Sequence, residues 1–545
     1  MAKKKNKKYI FVVGGVMSGV GKGITTSSIA KLMQSRGFSV TALKVDPYIN
    51  VDAGTMNPTE HGEVFVLADG DETDQDMGNY ERFLDITLPS SNYMTTGRVY
   101  QSVIERERAG GYNGKCVEVV PHIPLEIISR IEKAGKKEDA EVIITEIGGT
   151  IGEYQSLLFL EAARMLKTKR PNDVLFVLVS YVPLPSKVGE MKTKPTQYAS
   201  RTLNSAGIQA DIIVARSEVP MDEKRKEKIA MSCAVDKNSV ISAPDVDSIY
   251  HVPLNFERDN LSNIVLKKLG LKARKRDMSD WETFTQKIDN AKKTVKIGIV
   301  GKYFETGDFV LSDAYISVIE AIKHASYQNG CKPELAWLDS SVYENDKNKL
   351  KDLKEYDGIV VPGGFGSRGI EGKINVAGYC RENKIPYFGL CYGMQIAVID
   401  FARNVAGIKG ATSPEIDSKA KNLVIDIMPE QKEKLKKKDF GGSMRLGSYT
   451  AKIAPKTIAR KAYKKAEVLE RHRHRYEVNP EYIQQIEDAG LVFSGKSPDG
   501  ILMEIVELPK EKHPFYLATQ FHPEFQSTPL NPHPLFNEFI KVAKK

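Results

Sequence analysis

The sequence predicts an α/β protein of two successive domains, each a parallel sheet covered by helices, and three observations predict it. From Tyr9 to about Gly270, short apolar β-rich runs alternate with longer helical stretches, the pattern of a parallel sheet with helices on both faces. A charged stretch, LKARKRDMSDWETFTQKIDNAKK (271–293), then interrupts the pattern and reads as a linker holding one amphipathic helix. After it the alternation begins again and runs to the end of the chain. The expected organisation is therefore a first domain at 1–270, a linker at 271–293 and a second domain at 294–545.

The first domain opens with the strand YIFVV, which runs into the glycine-rich GGVMSGVGKG and a helix from about Gly21 to Ser35. SVTALKV, AEVIITEIGG, DVLFVLVSYV and ADIIVARS follow as further strands. In the second domain the strands are TVKIGIVG, PELAWLD, YDGIVVPGGFG, KIPYFGLCYGM and PFYLATQFHPEF. Sites in such sheets gather at the C-terminal strand ends, so the loops after these runs are where chemistry belongs.

Composition narrows the classes. The chain has 545 residues, 41% of them hydrophobic, enough for more than one core. The net charge of +9 comes from 79 Lys+Arg against 70 Asp+Glu, partly in the leader MAKKKNKK, which reads as a solvated tail. No aromatic residues interleave with arginine as base-stacking surfaces require, so small anionic substrates fit better than nucleic acid. Cys116, Cys233, Cys331, Cys380 and Cys391 are scattered, with no CxxC pair, which points to a reduced, cytoplasmic protein. No signal peptide is expected, and the most apolar run, DVLFVLVSYVPLP, is far short of the roughly 20 residues of a membrane span.

The most specific chemistry is Gly389-Leu390-Cys391-Tyr392-Gly393, a GxCxG between a strand and a helical pattern. That is the setting of a nucleophile elbow, where glycines leave room for a sharp turn and the helix N-terminus favours a thiolate. A nucleophilic thiol needs a base and the base an orienting acid; FHPE supplies His522 and Glu524, two apart on a strand-like run and so on one face. A lone cysteine is more often a small buried hydrophobe. The elbow, the His-x-Glu and the turn VPGGFG (361–366), whose N–H groups would join that of Tyr392 as an oxyanion hole, favour catalysis.

On these residues the second domain resembles the class I glutamine amidotransferase family. The resemblance implies that Cys391 is the nucleophile, His522 the base and Glu524 its orienter, releasing ammonia from glutamine through a thioester. It also implies that Gly364, Tyr392, Gly393, Met394, Gln395, Glu415 and Arg473 hold L-glutamine. Tyr392 stands where leucine is more usual in that family.

The first-domain loop departs from the P-loop pattern GxxxxGK[ST] twice. Val16 occupies the first glycine position, and Gly23 stands where a magnesium-binding hydroxyl should follow Lys22. A strand, a glycine-rich turn, a lysine and a helix start nevertheless present amides and a cation to phosphates. The metal ligands are then sought among carboxylates: Asp76 in DGDETDQD (69–76), which alone reads as a solvated turn, and Glu146, which closes an apolar strand beside a glycine turn. Lys192 and Lys194, around a proline turn, read either as an exposed loop or as a clamp for a second triphosphate with Thr196 and Gln197.

KVDPYINVDAGTMNPTEHGEVFV (44–66), EIGGTIGE (146–153), KTKPTQ (192–197), DVDSIY (245–250) and RHRHRYEVN (471–479) make the whole chain resemble the CTP synthase family. The fold this implies is a P-loop-like, Rossmann-like synthetase domain followed by a class I glutamine amidotransferase domain. The implied activity is ATP-dependent amination of UTP to CTP through a 4-phosphorylated UTP, with GTP as activator, CTP as inhibitor and a homotetramer as the assembly. By motif, Gly19, Val20, Gly21, Lys22, Gly23, Ile24, Asp76 and Val246 carry ATP, and Asp76 and Glu146 hold Mg²⁺. Ser18, Lys44, Glu153, Tyr154, Gln155, Lys192, Thr193, Lys194, Pro195, Thr196, Gln197 and Lys228 contact UTP or CTP. GGSMRLG (441–447) resembles part of the family's mobile glutaminase region. Where the family usually reads Asp-Ile-Glu, this chain has Glu153-Tyr154-Gln155, which implies altered CTP feedback. An amidoligase for a cobalamin precursor, or a nucleotide-switched regulatory protein with a decayed glutaminase, would share the two-domain logic; KTKPTQ and the intact Cys391, His522 and Glu524 argue against them.

Overall fold

The structure, a computed structural model, describes residues 7–187, 189–301, 305–306, 309–310, 312–364, 369–428, 431 and 442–544. Most of the MAKKKNKK leader, Phe365 and Gly366 of VPGGFG and Gly441 of GGSMRLG lie outside the described residues. The chain forms two compact units, one of Met1–Asp52 with Asp76–Thr285 and one of Ala53–Gln75 with Gln286–Lys545. Both are α/β.

The first unit is built on a seven-stranded sheet, all parallel, in the order Tyr93–Thr95, Val40–Asp46, Val142–Ile147, Lys8–Gly15, Val174–Tyr181, Ile212–Ser217, Val240–Pro244. Its central strands are buried on both faces, which is why they read as unbroken apolar runs. Lys8–Gly15 lies at the middle, so the loop after it and the ends of Val40–Asp46 and Val142–Ile147 meet on one side. Within the stretch read as a linker, Ser279–Asn290 is a helix, and Trp281 and Phe284 pack on Phe83 and Tyr250. The Trp281 indole N–H donates to the Tyr250 carbonyl at 2.9 Å.

The second unit holds a nine-stranded mixed sheet. Cys331–Asp339, Lys293–Gly301, Gly358–Val361, Tyr387–Leu390 and Tyr516–Thr519 are parallel; Met503–Glu507, Val492–Lys496, Arg445–Ile453 and Glu467–His474 continue it antiparallel. The hairpin Val64–Val66 and Glu72–Asp74 belongs to this unit, although a boundary at residue 270 would place it in the first domain. It is held by side chains over 400 positions away: Arg471 donates to the Val66 carbonyl at 3.1 Å and Arg473 pairs with Glu72 at 2.8 Å. Among the described residues no helix is long and apolar enough to cross a membrane.

Candidate active sites

In the second unit, Cys391 sits between the strand Tyr387–Leu390 and the helix Tyr392–Asn404 with φ 52° and ψ −99°. A non-glycine residue at positive φ is rare and strained, and persists where the surroundings impose it. The flanking glycines show what imposes it. A Cβ on Gly393 would lie 2.1 Å from the Val361 carbonyl oxygen, and one on Gly389 2.6 Å from the Gly393 oxygen. The turn leaves no room for a side chain at either flanking position.

The chain returns His522 to this point from the end of Tyr516–Thr519, the strand paired directly beside the elbow. His522 Nδ1 and Glu524 Oε1 are 2.7 Å apart, and both side chains are buried. Burial disfavours the imidazolium, but Glu524 and Cys391 outweigh it and raise the His522 pKa to about 10. His522 stacks on Phe525 at 5.0 Å and Phe525 meets Phe65 edge-on at 5.1 Å, which fixes the ring. Nε2 makes no well-formed hydrogen bond. Gly363 is close to both groups: a Cβ there would lie 3.2 Å from His522 Cε1 and 3.7 Å from Cys391 Cβ.

Cys391, His522 and Glu524 line one cavity of about 280 Å³ with Gly364, Tyr392, Gln395, Glu415 and Arg473, and Glu63 and Val64 complete part of its wall. Gly393 and Met394, grouped with them by motif, do not line it. Gly393 packs on the Val361 backbone, and Met394 is fully buried in the core. The amides of a helix's first turn have no partner within the helix, and Tyr392 opens this one. Arg473 is engaged as well as lining: Nε donates to Glu72 at 2.8 Å and a terminal nitrogen to the Gly54 carbonyl at 3.3 Å.

In the first unit, Lys8–Gly15 ends in a loop in which Val16, Gly19 and Gly21 have positive φ, 79°, 69° and 92°. Val16 adopts the conformation that the P-loop glycine supplies without strain. Lys22 begins the helix Lys22–Ser35 and folds back over Gly14, where a Cβ would lie 2.7 Å from its side chain. A Cβ on Gly23 would fall 1.9 Å from Asp76 Oδ1. The space that a side chain at position 23 would take is filled by the Asp76 carboxylate, so the position does not admit the P-loop hydroxyl. Within DGDETDQD, Asp69 is exposed on a turn, but Glu72–Asp74 is a strand, Glu72 is buried and Asp76 starts the helix Asp76–Leu84.

Asp76 and Glu146 converge on one cation. Lys44 Nζ is hydrogen-bonded to Asp76, donates to Glu146 at 3.0 Å and lies 3.7 Å from Asp46. Tyr80 donates to the other Glu146 oxygen. Burial pushes the carboxyl of Asp76 up, but Lys44 and Lys22 outweigh it and hold Asp76 low; burial, helped by Asp76, raises Glu146. Among the described residues no three His, Cys, Asp or Glu side chains form a metal cage. Two carboxylates suit Mg²⁺, which takes one or two protein carboxylates and completes its shell with phosphates and water.

The remaining expected contacts are spread over other loops of this unit. Ser18 is exposed at the loop tip, and Val20 is buried beneath it with Ile24 half-buried. Thr193 immediately precedes the helix Lys194–Ser205, so KTKPTQ runs into a helix start, with Pro195 in its first turn. Thr196 accepts from Ser180 at 2.9 Å, Gln197 donates to Thr193 at 3.1 Å, and Lys192 pairs with Glu190 while Lys194 is exposed. Glu153 accepts from Gln155 at 3.2 Å, beside the 92% exposed Tyr154. Lys228 is exposed on Glu223–Cys233, and Val246 follows the edge strand Val240–Pro244. Sequence reasoning missed Glu72, the partner of Arg473, because it was hidden in an acidic run.

Comparison with known proteins bears on the family of the chain. A family model described as CTP synthase N-terminus matches residues 8–271, and one described as Glutamine amidotransferase class-I matches residues 310–542. The CTP synthase of Carboxydothermus hydrogenoformans is 52% identical over 539 residues, 99% of either chain. That of Methanocaldococcus jannaschii is 49% identical over 545 residues, again 99% of each. A solved glutaminase domain of Trypanosoma brucei CTPS with bound acivicin is 39% identical, covering 46% of this chain and 93% of that one with a TM-score of 0.42. Two family models in order and near-full-length relatives at about half identity leave one conclusion: the chain belongs to the CTP synthase family.

Proposed function

We propose that this protein is an ATP-dependent carbon–nitrogen ligase that converts UTP to CTP with ammonia taken from glutamine. One observation carries the reading: Cys391, on a strained turn that glycines enforce, shares a cavity with a His522–Glu524 pair. Cys391 gives its thiol proton to His522, and Sγ attacks the glutamine side-chain carbonyl, forming a C–S bond as the carbonyl π electrons move to oxygen. As the C–N bond breaks, the leaving nitrogen takes a proton from the His522 imidazolium that Glu524 stabilises, and ammonia departs. His522 then takes a proton from water, whose oxygen displaces Sγ and releases glutamate. The amide of Tyr392 and the backbone near Gly363 and Gly364 would carry the oxyanion. Glu415 and Arg473 offer charges opposite to the ammonium and carboxylate ends of glutamine.

The first unit takes the activation step. The terminal phosphoryl of ATP passes to the UTP 4-oxygen, with ADP leaving. Ammonia then attacks C4, and phosphate departs with the oxygen as a proton is lost. Lys22 and the backbone from Gly19 to Gly21 would bind ATP phosphates, Val246 the adenine, and Lys192, Lys194 and Lys228 the pyrimidine triphosphate. Asp76 and Glu146 would hold Mg²⁺, which when bound neutralises charge on the phosphates. GTP activation, CTP inhibition and a homotetramer belong to the same reading and are supported by membership of the family.

The test follows CTP from UTP, ATP and Mg²⁺ with glutamine, then with ammonia. Cys391→Ala should abolish the glutamine reaction and spare the ammonia one. Loss of both, or no CTP from either nitrogen source with the unmodified protein, overturns the reading.

A further inference from the structure

The Cys391 sulfur has two close polar neighbours besides His522, and they act in opposite senses. The thiol donates to the Arg473 carbonyl at 3.7 Å, and Gln520 Nε2 donates to Sγ at 3.6 Å. The carbonyl favours the protonated thiol, since only S–H can use it. The amide N–H favours the thiolate, because a donor facing an anion makes the stronger bond.

The orientation of the Gln520 amide follows from its neighbours. Gln395 Nε2 faces the Tyr476 carbonyl at 3.2 Å, and a carbonyl can only accept, so that end of Gln395 is its NH₂ group. The same nitrogen faces the Gln520 amide oxygen at 3.3 Å. Gln520 therefore spends its oxygen on Gln395 and turns its NH₂ group to the sulfur. Its side chain is fully buried, and its backbone N–H donates to the Glu504 carbonyl at 2.9 Å, so it cannot swing to solvent. Gln520 and His522 alternate on one strand end, which aims both at Cys391.

We propose that Gln520 is a further catalytic residue of the glutaminase site, a neutral donor that holds the Cys391 thiolate before attack, with Gln395 fixing its orientation. The inference rests on Cys391 being the nucleophile proposed above. When the thiol passes its proton to the His522 imidazole, the bond to the Arg473 carbonyl is lost and the bond from Gln520 becomes charge-assisted. When Sγ joins the substrate carbon, that charge moves to the oxyanion and the Gln520 bond weakens. The side chain thus supports the nucleophile without following the charge.

The test uses the full-length protein without glutamine and follows iodoacetamide alkylation of Cys391 from pH 5 to 10 by peptide mass spectrometry. Resolving peptides separates Cys391 from the exposed Cys116. A lost hydrogen bond to an anion corresponds to a displacement of about one pH unit. Gln520→Leu should move the alkylation profile about one unit to higher pH, and the near-isosteric Gln520→Glu should move it further by setting a second anion beside sulfur. Both should lower glutamine-dependent CTP formation about 10-fold or more and keep the ammonia-dependent rate. Should Gln520→Leu fail to fold, Gln520→Glu alone decides. An unmoved profile in a variant that keeps ammonia-dependent activity overturns the proposal. If Cys391→Ala retains glutamine-dependent activity, the underlying reading of the nucleophile fails instead.

Discussion

Restoring the P-loop hydroxyl should damage this protein. Gly23→Ser adds the residue type the pattern asks for, yet its Cβ would begin 1.9 Å from Asp76 Oδ1 and 2.7 Å from Cγ, far inside contact distance. The helix backbone cannot yield, so the carboxylate must turn away from Lys44 and Lys22. Overpacking of this kind costs about 1–3 kcal/mol. Breaking a fully buried ion pair costs about 3–5 kcal/mol, discounted here because Asp76 is 20% exposed and finds water. A destabilisation of about 2 kcal/mol would lower the midpoint of the first unit by about 4–8 °C. Displacing a positioned group by an ångström costs about 100-fold in rate. Ammonia-dependent CTP formation should therefore fall about 100-fold while glutamine hydrolysis persists, and Gly23→Ala should do the same. A Gly23→Ser protein with the native midpoint and ammonia-dependent rate would refute the reasoning.

Three further outcomes follow from named contacts. The His522 pKa is raised to about 10, so its imidazolium contributes stability in full below its ordinary value near 6.5 and loses it as pH rises through 10. Glutaminase activity should fall along the same limb, and Glu524→Gln, which removes the charge holding the proton, should shift that limb to lower pH; a coincident limb contradicts the assignment. Glu72→Gln removes the charge that holds Arg473 Nε, so the KM for glutamine should rise about 10-fold with the ammonia-dependent rate intact, and an unchanged KM counts against that role. Gln155→Glu sets a carboxylate beside Glu153, whose oxygen now accepts from the Gln155 amide, and should change the CTP inhibition constant; no change sinks the link between this departure and feedback.

What was legible in the sequence was what local sterics or a continuous core dictates. Val174–Tyr181 read as a strand because seven of its eight residues are buried, and GxCxG read as an elbow because each glycine excludes a Cβ from a real backbone contact. The antiparallel strands Arg445–Ile453 and Glu467–His474 escaped because they carry buried charges. Arg445 donates to Glu504 at 2.8 Å and to Glu477 at 3.2 Å, and burial with Arg445 lowers the pKa of His472 and of His474 well below the ordinary value. A run such as RHRHR looks exposed unless its partners are known, and those lie elsewhere in the chain. Glu72 escaped for the same reason, its partner being Arg473.

The glycine-rich loop after Lys8–Gly15 shows how a pattern can be broken in letter and kept in backbone geometry. Val16 violates the glycine position, yet its φ of 79° keeps the backbone turn that glycine serves. Gly23 violates the hydroxyl position, and the oxygen delivered over it comes from Asp76, on a helix 53 residues further along. A carboxylate carries a full charge where a hydroxyl carries none, and that charge has to be balanced while no nucleotide is bound. Lys44 supplies the balance, touching Asp76 and Glu146 together. The substitution at position 23 therefore reaches beyond a single ligand: it requires an acid from one element and a lysine from another, and Gly23→Ser tests all three positions through one Cβ.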